Sequence, residues 1–246
     1  MSRARFFVER ELNPGSSGTL DADQAKQLRS VLRARPGDSV VLVNGGGEEA
    51  VAVLVSLTGR LASYQVRSVD RPNREPGRQL TCGLALIKPQ RFEMAVQKLT
   101  ELGVSHIVPL VADRNVVMLE SSDDWNRRAA RLQRIMIEAA EQSERTTIPE
   151  LNGPTTLADF LATPGVVALV ERSEGKPLLS VLPAALNSVS LAVGPEGGWS
   201  LRERDLIQRL SVPATLGSLI LRAETAAIAA ASAIFQDDLA HQERSS

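Results

Sequence analysis

The sequence predicts an α/β chain in two parts, a β-rich first third carrying one helix and then strands alternating with helices, the pattern of a mostly parallel sheet covered on both faces. Three observations predict it. Short runs of alternating and β-branched residues fill the chain as far as Val69; a charged stretch, DRPNREPGRQ (Asp70 to Gln79), follows; from Leu80 onward, continuous apolar runs alternate with stretches of helical spacing.

In the first part Arg5 to Val8, Ser39 to Val43, Ala50 to Leu57 and Ser63 to Val69 read as strands. One helix is expected from about Asp23 to Arg33, with Asp21 placed to cap it and Gln24 to reach back. ARPGDSV turns the chain into a strand, and NGGGEE reads as a loop or hairpin connection. A β-barrel with one helix accounts for these elements. DRPNREPGRQ has two prolines, a glycine and no apolar residue to bury, so it is the expected linker, dividing the chain into 1–72 and 73–246.

In the second part Leu80 to Ile87 is a continuous apolar run and so a buried strand. Pro89 then opens a helix with Phe92, Val96, Leu99 and Leu102 on one face, ended by Gly103. His106 to Val111 is the next strand. A helix from Asp124 to about Glu144 follows, with Trp125, Ala129, Leu132, Met136, Ala139 and Ser143 aligned. Val166 to Val170 and Leu191 to Val193 are short buried strands, and Ala214 to Ile220 is a weaker one interrupted by Gly217. Ser200 and Glu203 form a capping-box pattern for a helix through Leu210, and a helix rich in small residues runs from Glu224 to about Leu239.

Composition narrows the function classes. With 43% hydrophobic and 23% charged residues the chain is an ordinary globular protein with a packed core. No segment reaches the ~20 apolar residues of a membrane span, and MSRARFFVER meets Glu9 and Glu11 before any apolar run that a secretory signal needs. The single cysteine, Cys82, lies in LTCGLALI and reads as a small buried hydrophobe; it excludes an internal disulfide and fits the cytoplasm. Two histidines, His106 and His241, give little support to a metal site, and none is expected. The net charge of -1 does not announce a nucleic-acid partner, but arginines are concentrated before Gln79. Arg3, Arg5, Arg29 and Arg33, with Lys88 beyond them, are candidates to follow a phosphate backbone, although solvated charge explains them equally well.

Four segments carry candidate chemistry. LAVGPEGGWS (Leu191 to Ser200) is a strand running into a glycine turn and a capped helix, the place where open α/β sheets bring backbone amides to a ligand. A plain tight turn explains such a loop about equally well; the loop lacks the Lys-Ser/Thr pair of a phosphate-binding loop and the GxGxxG spacing of a dinucleotide site, so a cofactor other than a nucleoside triphosphate or NAD is favoured. TLGSLILRAETAA (Thr215 to Ala227) sets a second glycine turn before Arg222 and Glu224. KPQRFEMAVQKLTELGV (Lys88 to Val104) carries Arg91 and Lys98 on its polar side, and EAAEQSERTTIPEL (Glu138 to Leu151) clusters Glu141, Gln142 and Arg145 at a helix end. Taken singly, each of the last three is also explained as an ordinary surface.

Together and in this order, the four segments resemble the RsmE family, the 16S ribosomal RNA uracil-N3 methyltransferases of the SPOUT superfamily. RFFV and LRSVLRARPGD extend the likeness to the first part, so it spans essentially the whole chain. The chain departs from the family pattern at Ala223, where threonine is common, near Ala25 and Lys26, and at Asn115 and Val116 after Arg114. The resemblance implies a PUA-like RNA-binding barrel followed by a SPOUT α/β domain with a deep trefoil knot, acting as a homodimer with sites built from both subunits. It implies S-adenosylmethionine (SAM) as cofactor, held by Val170, Glu171, Gly194, Pro195, Glu196, Gly197, Gly198, Leu216, Gly217, Leu219, Leu221 and Arg222. Arg91, Glu141, Arg145, Arg222 and Glu224 are the implied catalytic set. The implied substrate is N3 of a uridine in the decoding region (helix 44) of 16S rRNA within the small ribosomal subunit. A catalytically inactive RNA-binding assembly factor of the same fold is the competing reading.

Overall fold

The computed structural model describes residues 4–117, 121–171, 174–182 and 187–245; Arg3 lies outside the described residues. The chain forms two compact units. One comprises Met1–Glu75 with Ala140–Ile148, and the other Pro76–Ala139 with Pro149–Ser246.

In the first unit β1 (Arg5–Phe7), β2 (Ser17–Leu20), β3 (Ser39–Val43), β4 (Glu49–Thr58) and β5 (Leu61–Asp70) form one sheet in the order β1-β3-β4-β5-β2. β1 runs parallel to β3 and the remaining pairs are antiparallel. The alternation of β4 and β5 puts Ala50, Ala52, Leu54, Ala62, Tyr64 and Val66 into a core shared with Phe6, Leu20 and Leu42. Helix α1 (Ala22–Ser30) closes that core with Ala25 and Leu28. Its capping box is as expected: the Asp21 carboxylate accepts from the amides of Asp23 and Gln24, and the Gln24 side chain accepts from the Asp21 amide. The helix stops short of Arg33, whose φ of 53° lies in the left-handed region and cannot continue it.

The returning segment Ala140–Ile148 is held to this unit by polar contacts. The Glu141 carboxylate accepts the Phe7 amide at 2.7 Å, Thr147 bridges to Gly45 and Gly46, and the Gly47 amide donates to the Thr146 carbonyl at 3.1 Å. Glu75 accepts from Arg145 and from the amides of Thr146 and Thr147. Glu75, in the stretch expected as the linker, is thus held within the first unit. Within the second unit, Arg78 of the same stretch is only 3% exposed and faces Asp237 and Asp238 at 4.0 and 3.7 Å.

Among the described residues the second unit is built on eight strands, all paired in parallel: β6 (Gln79–Ala85), β7 (His106–Val111), β8 (Glu150–Leu151), β9 (Thr155–Thr156), β10 (Val166–Leu169), β11 (Lys176–Pro177), β12 (Ser188–Val193) and β13 (Val212–Thr215). Their order is β11-β13-β10-β12-β6-β7-β8, with β9 also paired to β7. Buried strands such as β10 need cover on both faces. The helices are α2 (Pro89–Leu102), α3 (Ser122–Gln142), α4 (Leu157–Leu161), α5 (Leu178–Val181), α6 (Leu201–Leu210) and α7 (Ala223–Ser245). α4 and α6 contribute Leu157, Phe160, Leu161 and Ile207 to a core with Ala85, Val108, Leu110 and Ala168. α7 packs against α2 and reaches β6 and β12. Proline at the first turn opens α2, and Gly103, with φ 102°, ends it by donating its amide to the carbonyls of Leu99 and Thr100.

Two expectations are corrected here. The strand expected from Ala214 to Ile220 ends at Thr215: Gly217 has φ 128°, and Leu219 and Ile220 are exposed with no strand partner, so this stretch is a loop. The short elements β2, β8, β9, β11, α4 and α5 were not anticipated. They are too short, or in SGTL too polar, to show a hydrophobic period.

Candidate active site

Three neighbouring strands, β13, β10 and β12, end side by side, and the loops leaving their carboxyl ends enclose a cleft of about 340 Å³ in the second unit, a size suited to a small-molecule ligand. Leu169, Val170, Glu171 and Glu174 come from the end of β10; Val193 to Glu196, Gly198 and Trp199 follow β12; Thr215, Leu216 and Leu219 to Ala223 follow β13. Arg91 enters from the first turn of α2, and Arg204 from α6.

The glycine loop is shaped by an indole. Trp199 is buried, and its Nε1 donates to the Leu169 carbonyl at 2.9 Å, which ties the loop after β12 to the end of β10. A Cβ on Gly194 would lie 2.9 Å from that ring, so glycine is needed there by close approach. Gly198 closes the turn with φ 67°, its amide donating to the Pro195 carbonyl at 2.9 Å. The Ser200–Glu203 capping box then starts α6 as the sequence predicts. Glu203, buried, also accepts the Asp113 amide at 2.8 Å, and Ser200 donates its hydroxyl to the Asp113 carboxylate at 2.6 Å. Asp113 and Arg114, which donates to the Gly197 carbonyl at 3.0 Å, support this loop and were missed in the sequence. The single signal for them is a carboxylate in a helix first turn on the core side.

Charge on the walls is mixed. Glu171, Glu174 and Glu196 face Arg91, Arg204 and Arg222 across the same cleft. Arg204 pairs with Glu171 at 3.5 Å and with Glu174, and gives its Nε to the Trp199 carbonyl at 3.2 Å. Arg91 is 2.5 Å from Glu196 and 3.7 Å from Glu224. Arg222 has no carboxylate within 4 Å among the described residues.

Of the residues expected at a cofactor, Val170, Glu171, Gly194, Pro195, Glu196, Gly198, Leu216, Leu219, Leu221 and Arg222 line the cleft. Gly197 and Gly217 shape its loops without forming the wall. Of the expected catalytic set, Arg91 and Arg222 line it and Glu224 is buried behind Arg91. Glu141 and Arg145 belong to the first unit, with the partners given above. Among the expected RNA contacts, Arg29, Arg33 and Lys88 are exposed, whereas the Arg5 guanidinium is largely buried against Glu49 at 2.7 Å. Cys82 is buried and unpaired, its thiol pushed up to about 12 by loss of solvent, so it is no nucleophile. Among the described residues no cluster of histidine, cysteine and carboxylate side chains could hold a metal ion, and no helix is long and apolar enough to cross a membrane.

Comparison with known proteins bears on the fold and the family. Residues 73–235 match the RNA methyltransferase domain and residues 20–63 the RNA methyltransferase PUA domain. Ribosomal RNA small subunit methyltransferase E of Synechocystis is 36% identical over 90% of this chain and 74% of its own length, and that of Rickettsia conorii 30% identical over 94% of each. A ribosomal RNA small subunit methyltransferase E from Neisseria gonorrhoeae, solved bound to S-adenosyl methionine, superimposes with a TM-score of 0.86 at 28% identity, over 95% of this chain and 97% of that one. A Legionella pneumophila protein solved with the bound cofactor SAM gives 0.87 at 30% identity, over 95% and 97%. The two-part fold, PUA-like and then SPOUT, is thus shared with these proteins, and the chain belongs to the RNA methyltransferase family that includes ribosomal RNA small subunit methyltransferase E.

Proposed function

We propose that this protein transfers a methyl group from SAM, held in the cleft, to N3 of a uridine in the decoding region of 16S rRNA, working in the cytoplasm as a homodimer on the small ribosomal subunit. The observation that carries the reading is the meeting of three strand-end loops in one cleft that joins close-approach glycines to arginines. The deep trefoil knot implied by the resemblance belongs to the same proposal.

The residues present fit the cofactor. Gly194 leaves no room for a Cβ beside Trp199, so backbone forms that part of the wall; Leu216, Leu219 and Leu221 offer apolar surface to an adenine. Glu171, Glu174 and Glu196 suit a cationic ligand bearing hydroxyl and amine donors. When bound, SAM supplies an electrophilic methyl group on a sulfonium centre.

The chain must then hold the base in line and deal with the proton on uracil N3, which is a poor nucleophile while protonated. Loss of that proton places negative charge on the base oxygens. Arg222, on the wall and without a carboxylate partner among the described residues, is the cation available to stabilise it. Arg91 is the second cation of the site, shared with Glu196 and Glu224. Arg29, Arg33 and Lys88 hold RNA phosphate, while Arg5, Glu141 and Arg145 enter the proposal as residues that shape the first unit.

The test is methyl transfer from labelled SAM to small subunits lacking the modification, with the labelled nucleotide mapped. N3-methyluridine at a single site is expected. Arg222→Ala is expected to retain SAM binding and to lose at least 100-fold in turnover, the order reached on removing one oxyanion-stabilising donor. Binding of SAM and of RNA with no labelled product would favour the inactive assembly factor.

A further inference from the structure

Arg91 stands between two carboxylates and hydrogen-bonds one of them. Its Nη1 is 2.5 Å from Glu196 Oε1 on the glycine loop, while its Nε is 3.7 Å from Glu224 Oε1, beyond hydrogen-bond reach. Glu224 is 3% exposed, and its Oε2 has no hydrogen-bond partner among the described residues. A buried carboxylate oxygen left unpaired is costly, and a guanidinium is the donor whose planar fork matches a carboxylate through two parallel bonds. The first turn of α7 thus offers, beside Arg91, a buried carboxylate with one oxygen unpaired, which Arg91 does not reach while it is drawn to Glu196.

Nη1 on Glu196 leaves the Nε edge of Arg91 short of Glu224, and the two placements of the guanidinium have different consequences. On Glu196, Arg91 ties the first turn of α2 to the glycine loop. On Glu224, it would tie α2 to α7, helices already packed together, and would leave Glu196 on the cleft wall with its charge uncompensated. A free carboxylate on that wall suits a cationic ligand carrying hydrogen-bond donors, and such a ligand competes with Arg91 for Glu196.

We propose that Arg91 is a two-position element: Glu196 holds it in the ligand-free protein, and on cofactor binding Glu196 turns to the cofactor while Arg91 docks through two hydrogen bonds on Glu224. Glu224 is then a positioning residue for Arg91 and not the acceptor of the uracil proton. The inference rests on the reading that the cleft takes SAM.

The direct test is a crystal structure of the full chain soaked or grown with SAM. The expected result is Arg91 within about 3.2 Å of both Glu224 oxygens, a hydrogen-bond distance, with Glu196 facing the ligand. SAM in the cleft with Arg91 still on Glu196 and Glu224 Oε2 still unpaired overturns the two-position element and leaves the cofactor reading intact. No SAM in the cleft at saturating concentration overturns the cofactor reading and this proposal with it.

Kinetics supply an independent check. Glu224→Gln is expected to keep SAM affinity within threefold and to lower kcat about 30-fold, by the same factor at every pH. In the Arg91→Ala background the same substitution should change kcat by less than twofold, because the residue that it positions is gone. If the loss in Glu224→Gln instead shrinks steadily as rising pH ionises the uracil unaided, Glu224 is the proton acceptor and the positioning role is wrong.

Discussion

Two arginine–carboxylate clusters, one in each unit, are built from the same groups and finished differently. In the first unit Arg145 is 7% exposed and gives Nε and Nη2 to Glu75 at 3.0 and 2.9 Å, while the other Glu75 oxygen accepts the amides of Thr146 and Thr147 at 3.0 and 3.1 Å. Both carboxylate oxygens are therefore occupied. In the second unit Arg91 reaches one of its two carboxylates, and the buried Glu224 keeps an oxygen without a donor. A saturated cluster has nothing left to offer a ligand and serves to hold chain together; an unsaturated one keeps an interaction in reserve. On the function proposed above, the Arg145 cluster would hold the first unit together and the Arg91 cluster would act at the cleft.

The comparison is broken most directly at the saturated end. Arg145→Ala leaves Glu75 half-buried without its cation, a change of about 3–5 kcal/mol for a buried pair, or roughly 10 °C in melting temperature. The expected signature is early melting with SAM affinity preserved once the protein is folded. A melting point within 2 °C of the parent protein would remove Arg145 from the architectural role.

Acid probes the same cluster with a smaller effect. Burial alone would raise the carboxyl of Glu75, but the charge and hydrogen bonds of Arg145 and the two amides outweigh it and hold Glu75 below the ordinary carboxylate range. Glu49, between Arg5 and Arg74, is lowered in the same balance. A carboxyl depressed in the folded state adds stability above its unfolded value of about 4.3, and that stability is lost as pH falls through the folded value. The denaturant midpoint is thus expected to fall as the pH is taken from 5 to 3. In Glu75→Gln that acid-dependent portion should be smaller; an unchanged acid profile would mean that Glu75 contributes nothing to it.

The same contrast explains which parts of the molecule were legible in the sequence. Both capping boxes, Asp21 with Gln24 and Ser200 with Glu203, could be read because cap and partner lie three residues apart. The buried strands announced themselves as continuous apolar runs, and the cleft loops as glycines placed directly after such runs. What could not be read depends on groups brought together from far apart in the chain. Glu75 and Arg145 are separated by 70 positions, and Asp113 and Glu203 by 90. Arg78, charged and set in a proline-bearing stretch, carried no local sign that it would be buried against Asp237 and Asp238. Leu219 and Ile220 were read as strand because periodicity registers apolar residues without registering that they stay exposed. Assignment of Arg91 and Arg222 to chemistry came from the family resemblance, since a polar helix face alone does not distinguish a solvated arginine from a working one.

The smallest effect tests whether the glycine loop, and not its arginines alone, defines the cleft. Trp199→Phe keeps a buried aromatic ring beside Gly194 but removes the Nε1 donor to the Leu169 carbonyl, leaving that carbonyl at the end of β10 without this partner. One neutral hydrogen bond is worth about 1 kcal/mol net, so the melting temperature should fall by only a few degrees. The loop after β12 would no longer be fixed to β10, and Glu196 on that loop would be less well placed. SAM affinity is therefore expected to weaken about tenfold, more than the stability change accounts for by itself, in calorimetry well below the melting point. Affinity equal to that of the parent protein would mean that packing of the ring, and not the hydrogen bond, sets the loop, and would shift the source of the cleft's shape from the indole N–H to Gly194.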